Sequence, residues 1–130
     1  MPDKLRYETH RHSPGIYIGK LWGMMDSSRF AEAIQKRIDF VNQFDDPAYV
    51  VVYDMLEVKS VKRPTIHAGR LIRQSDPRTI AMVIVGGPPV IRTFATILDK
   101  GLMGKSKFKF VETMKEGLKL AEEILAKHQK

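Results

Sequence analysis

Two stretches of the chain lack polar alternation altogether. Tyr49-Val50-Val51-Val52-Tyr53 and Thr79-Ile80-Ala81-Met82-Val83-Ile84-Val85 are β-branched, apolar and aromatic, the pattern of strands buried on both faces in a parallel sheet. Ahead of them, Leu5, Tyr7 and Thr9 alternate with polar residues and predict a strand over 5–12. Ser13-Pro14-Gly15 is a turn signal, and Ile16, Ile18 and Leu21 mark a second strand, so the two should form a hairpin. Asp26-Ser27-Ser28 offers helix N-cap chemistry. Phe30, Ile34, Ile38 and Val41 follow at helical spacing, which predicts an amphipathic helix ending near Phe44, before Asp45-Asp46-Pro47.

Pro64 suits the first turn of a further helix carrying Ile66, Leu71 and Ile72 towards Gln74. Gly86-Gly87-Pro88-Pro89 turns the chain into another, with Val90, Ile91, Phe94, Ile97 and Leu98. Phe108 and Phe110 mark a short strand. Thr113 and Glu116 form a capping box, and Met114, Leu118, Ala121 and Leu125 share one stripe of a last helix. The order is therefore β-β-α-β-α-β-α-β-α. It predicts an α/β fold: a mixed, mostly parallel sheet with helices packed against it and right-handed crossovers.

With 130 residues and 43% hydrophobic content, the chain fits a single domain, 1–130, with one continuous core. No repeat or linker-like stretch divides it. The absence of cysteine excludes disulfides, thiolate chemistry and cysteine-ligated metals. Met1-Pro2-Asp3-Lys4-Leu5-Arg6 has no signal-peptide character, and the longest apolar run, Ile80 to Val85, is far below the roughly 20 residues of a membrane helix. A cytoplasmic location is expected. The net charge of +7 favours an acidic partner, or serves solubility alone.

Candidate chemistry is sparse. Gly101-Leu102-Met103-Gly104-Lys105-Ser106 lacks the first glycine of a phosphate-binding loop, because Asp99 stands in its place. Pro88 and Pro89 remove amide donors from the Gly86-Gly87 turn, so its glycines are expected to serve a sharp turn and close packing, with Arg92 the one side chain there able to meet a phosphate. His10 and His12 point the same way on a strand, but no further ligand completes a metal site. No serine, histidine and aspartate stand in a nucleophile motif. No catalytic residue, cofactor or metal is expected. Asp54, at the end of a buried strand, is placed either to meet a ligand beyond the sheet's carboxyl end or to accept backbone N–H groups there. Lys59, Lys62 and Arg63 follow it. Lys105, Lys107 and Lys109 form a second basic group, with Lys107 and Lys109 facing opposite Phe108 and Phe110, and neither group carries the interleaved exposed aromatics of a single-strand nucleic-acid surface.

Several of these stretches resemble the STAS superfamily, and within it the SpoIIAA-like (STAS/SEC14-like) domains. Gly23-Met24-Met25-Asp26 is similar to the family's turn between second strand and first helix. Val50-Val51-Val52-Tyr53-Asp54 is similar to its central strand, and Phe110-Val111-Glu112-Thr113-Met114-Lys115-Glu116-Gly117-Leu118 to its last strand, cap and helix. The family's Asp-Ser-Ser-Gly phosphorylation stretch is absent: Lys62-Arg63-Pro64-Thr65 occupies its place. The resemblance implies a non-catalytic regulatory or protein-interaction module without that phosphoserine. Its partner surface is expected around Asp54, Lys59, Lys62, Arg63 and Thr65, at the entrance of the second helix. The SEC14-like side of the resemblance implies an alternative, an apolar or lipid-like small ligand near Trp22, Met24, Met25, Leu102 and Met103. A protein partner or an anionic or apolar ligand is expected, and nucleic acid is not. Peripheral contact with anionic lipid and a homodimer both remain open.

Overall fold

A computed structural model describes residues 4–61, 76–89, 91–92 and 108–129. Within them the chain forms β1 (Arg6–Ser13), β2 (Ile16–Met25), α1 (Ser27–Val41), β3 (Tyr49–Val61), β4 (Thr79–Val85), β5 (Phe108–Val111) and α2 (Met114–His128). The helices expected over 64–74 and 90–98 lie outside the described residues, apart from Ile91 and Arg92. The strands make one five-stranded sheet in the order β1-β2-β3-β4-β5. The β1–β2 hairpin is antiparallel and every other pair is parallel. The mixed α/β sheet expected from the sequence is the one observed.

Both apolar runs are central. Val50, Val51, Val52, Val83 and Val85 are completely buried because each face of the sheet is covered. On one face Tyr17, Leu21, Val51, Tyr53, Met82 and Ile84 pack with Phe30 and Ile34 of α1. On the other, Ile18, Val50, Val52 and Val83 pack with Ala121 and Leu125 of α2. The two helices begin as their sequences dictate. Asp26 caps α1 by accepting the Arg29 N–H at 3.3 Å. Thr113 caps α2 by accepting the Glu116 N–H at 3.1 Å, and its hydroxyl donates to the Glu116 carboxylate at 3.0 Å, so one orphan backbone donor is satisfied. Among the described residues no helix is long and apolar enough to cross a membrane.

Two expectations need correction. Gly23-Met24-Met25 is not a turn: β2 runs through it to Met25. Nor does β3 stop at Asp54, since it continues to Val61 beside β2, with Trp22 opposite Glu57 and Met25 opposite Val61. The register slips between Asp54 and Glu57 and again between Val58 and Ser60. These bulges break the period of two by which a strand announces itself, so Met55 and Val58 are buried without forming a visible alternation.

The amino ends of the parallel strands are tied by two polar groups. Asp46 accepts from Arg11 Nη2 at 2.9 Å and from the Tyr17 hydroxyl at 2.5 Å. Asp76 accepts from Arg78 Nε at 2.8 Å and from the Tyr49 hydroxyl at 3.3 Å, and Thr79 donates to Tyr49 at 3.0 Å. Burial alone would raise the Asp46 carboxyl, but the bonds from Arg11 and Tyr17 outweigh it and hold its pKa below the ordinary value. Tyr17 is pushed up to about 12, by burial first and by Asp46 second.

Candidate functional site

The pairing of β3 with β4 ends at Asp54, which faces Val85. Asp54 is half-buried, and its carboxylate accepts the Leu56 N–H at 3.1 Å. Of the two roles open to it from sequence, the backbone-acceptor role is the one seen, and it fixes a bulge within a strand rather than a loop after one. A bulge re-aims the side chains it carries. Leu56 is the one large hydrophobic residue that stands exposed among the described residues, at 53%.

Leu56 leans on the turn that leaves β4. Gly86 and Gly87 both adopt positive φ, 69° and 88°, where a side chain is strained. The turn is also close to its neighbours: a Cβ on Gly86 would come within 2.5 Å of Leu56 Cδ2 and displace that side chain, and one on Gly87 would lie 3.1 Å from Ile91 Cγ1. The Gly86 N–H donates to the Val111 carbonyl at 3.0 Å, which ties this turn to the end of β5. The Ile91 N–H then donates to Pro88 O at 2.9 Å. The glycines serve the sharp turn, as their pairing with two prolines suggests.

Beside Leu56 the turn and the β5 end enclose a cleft of about 320 Å³, lined by Gly86 to Pro89, Ile91, Arg92, Val111 and Glu112. The Arg92 guanidinium lies over the Phe110 ring, 5.2 Å from its centroid. Glu112 is exposed just before the α2 cap. Across β3, Lys20 Nζ is 3.3 Å from Glu57 Oε2 and 5.9 Å from the Trp22 ring centroid. The site thus offers an aliphatic knob, a shallow apolar cleft and charges of both signs. Such a surface can bind, and among its described residues none pairs an acid with a base around a nucleophile.

Of the expected partner residues, Asp54 and the exposed Lys59 lie on the carboxyl-end half of β3. Lys62, Arg63 and Thr65 lie outside the described residues, as do Leu102, Met103, Lys105 and Lys107. Met25 is core, while Trp22 and Met24 are half-buried. His10 and His12 are exposed on one face of β1, where His10 pairs with Ile18, away from this end. Sequence reasoning missed Leu56. Its only signal is an apolar residue two after an aspartate, and that is too common to read.

No protein-family model matches the sequence, and no curated protein matches it either. Solved structures do. An anti-sigma factor antagonist from Mycobacterium paratuberculosis superposes with a TM-score of 0.62 at 18% identity, covering 94% of this chain and 97% of that one. An uncharacterized protein of the DUF3478 family from Shewanella loihica, described as having a SpoIIAA-like fold, gives 0.57 at 14% identity over 90% and 93%. The anti-sigma factor antagonist SpoIIAA in its unphosphorylated form gives 0.56 at 10% identity over 91% and 97%. At these identities the likeness is one of fold, extends along nearly the whole chain, and gives the chain the SpoIIAA-like STAS fold.

Proposed function

We propose that this chain is a non-catalytic regulatory module that binds a protein partner at the carboxyl end of its parallel strands. The carrying observation is Leu56: a bulge held by Asp54 keeps it 53% exposed beside the cleft of Gly86, Ile91 and Arg92. A rigid sheet end bearing an exposed apolar side chain within a polar rim is the anatomy of a protein contact. Two of the fold neighbours are anti-sigma factor antagonists, which supports the use of this fold for regulation through a bound protein. Lys59, Lys62 and Arg63, on a chain of net charge +7, favour an acidic partner.

The partner switch here does not run through a serine of the STAS type. Neither serine of that motif is present, and Ser60 belongs to β3, paired with Met24, rather than to a helix entrance. Affinity is therefore set by the surface itself.

A partner recovered by pull-down is to be titrated against wild type, Leu56→Asp and Arg63→Glu at low and physiological salt. Leu56→Asp should weaken binding by about 1–3 kcal/mol at both salts, as loss of a buried apolar anchor does. Arg63→Glu should act mainly on the association rate, with its effect shrinking as salt rises. Equal affinities for all three proteins would overturn the assignment.

A further inference from the structure

The sheet has two edges of unequal length. β5 closes one with four residues, while β1, the other, runs for eight from Arg6 to Ser13. Among the described residues no strand pairs with the outer side of β1, so the backbone N–H and C=O groups there form a template for another strand. Edges are usually blunted by proline, by lysine, by a bulge or by brevity. β1 contains no proline or lysine, and its one register shift lies near its end, between Arg11 and Ser13. Its side chains are accessible as well: Arg6, Glu8, His10 and His12 are exposed, and the residues between them are half-buried.

Two groups on this strand are left over. Glu8 faces Lys20 across the hairpin, but Lys20 Nζ turns instead to Glu57 Oε2 at 3.3 Å. Among the described residues neither Glu8 nor His10 makes an ion pair or a side-chain hydrogen bond. They stand two apart, on the same face of the strand. One is an acceptor with a negative charge, and the other is a donor whether its ring is neutral or protonated.

We propose that β1 pairs antiparallel with β1 of a second copy of this chain, about a two-fold axis through Thr9, joining two five-stranded sheets into one. That register sets Glu8 of each copy opposite His10 of the other, so the unmatched acceptor meets the unmatched donor twice. Thr9 meets Thr9, a favoured cross-strand pair. Tyr7 falls opposite Arg11, whose guanidinium Asp46 already holds in place at 2.9 Å, and cation and ring attract. Arg6 falls opposite His12, where the bulge ends the ladder. Other registers fit worse. An axis through Glu8 sets two carboxylates face to face. An axis through His10 sets two imidazoles face to face and runs the pairing into the bulge. The strand is self-complementary in one register, which selects a second copy over an unrelated strand. A two-fold axis uses the same patch on both copies, so the assembly closes with no β1 edge left free. Leu56 stands on β3, two strands away, and either assignment can fail without the other.

Sedimentation equilibrium of the full chain at pH 7 and physiological salt, where the +7 charge of each copy is screened, tests this from micromolar to millimolar protein. The wild-type mass should climb from 14.9 kDa towards twice that value. Glu8→Lys alone and His10→Glu alone should each raise the dimer dissociation constant about tenfold, since each sets like charges opposite one another twice. An equal mixture of the two variants should recover wild-type affinity, because opposite charges then face each other across the axis. A role in folding alone gives no such rescue. Where a variant does not fold, hydrogen–deuterium exchange of wild type decides, with amides of residues 6–11 exchanging more slowly at high protein concentration than at low. The proposal is overturned if wild type stays at 14.9 kDa throughout, if the variants dimerise as wild type does, if their mixture shows no rescue, or if exchange over 6–11 is independent of concentration.

Discussion

Tyr17 and Asp46 show how one residue pair can tie the fold to pH. The Tyr17 hydroxyl donates to Asp46, while its ring meets Tyr49 edge-on at 5.2 Å between centroids. Its folded pKa, about 12, lies above the ordinary 10.0. A raised value contributes stability that is fully present below pH 10 and is lost as pH climbs towards 12. Asp46 works in the opposite direction. Its lowered pKa contributes stability that is present above the ordinary 3.8 and is lost as pH falls through the folded value. Urea unfolding across the alkaline range should therefore show a fall in wild type that is shallower in Tyr17→Phe, and tyrosinate absorbance should report a late-titrating tyrosine. Identical alkaline profiles for the two proteins would mean that this hydroxyl contributes nothing. None of this was legible in sequence, because Tyr17 and Asp46 stand 29 residues apart and only the folded sheet brings them together. Asp54 was legible as a carboxylate at the edge of a buried strand, but the bulge it holds was not.

At the scale of elements, the strongest sequence signals were those in which periodicity and capping agree. The runs at Val50–Val52 and Ile80–Val85 became paired parallel strands, with Val52 opposite Val83. Thr113 became the N-cap of α2, accepting the Glu116 N–H. Ile84 is 1% exposed, on the face that α1 shares. Ile84→Ala should cost about 2–5 kcal/mol, since the strands on either side cannot collapse into the space left behind. Equilibrium denaturation measures this directly, and a loss below about half a kcal/mol would contradict its place in the core. The boundaries misjudged from sequence are those of β2 and β3, both too short at their carboxyl ends. There the two strands run on as a pair beyond Val85, the last residue of β4. Bulges remove alternation, and the apolar faces of Met25 and Val58 are then shared among neighbours that the local sequence does not reveal.

For the whole molecule, the division of labour between the two ends of the sheet matters most. Buried aspartates and tyrosines, with the half-buried Arg11 and Arg78, lock the amino end, while glycines, prolines and a bulge shape the carboxyl end around Leu56. The positive charge was visible from composition, yet composition could not say where a partner would touch. Under the proposed function Leu56 is the apolar centre of that contact, and the exposed Lys59 on the same half of β3 acts on approach rather than on fit. Hydrogen–deuterium exchange of the chain alone and in complex with its recovered partner tests this arrangement most directly. The account predicts slowed exchange over Asp54–Lys59, Gly86–Arg92 and Val111–Glu112, with β1 and the carboxyl-terminal half of α2 unchanged. Protection confined to β1 or to that half of α2, with residues 54–59 exchanging as in the free chain, would contradict it.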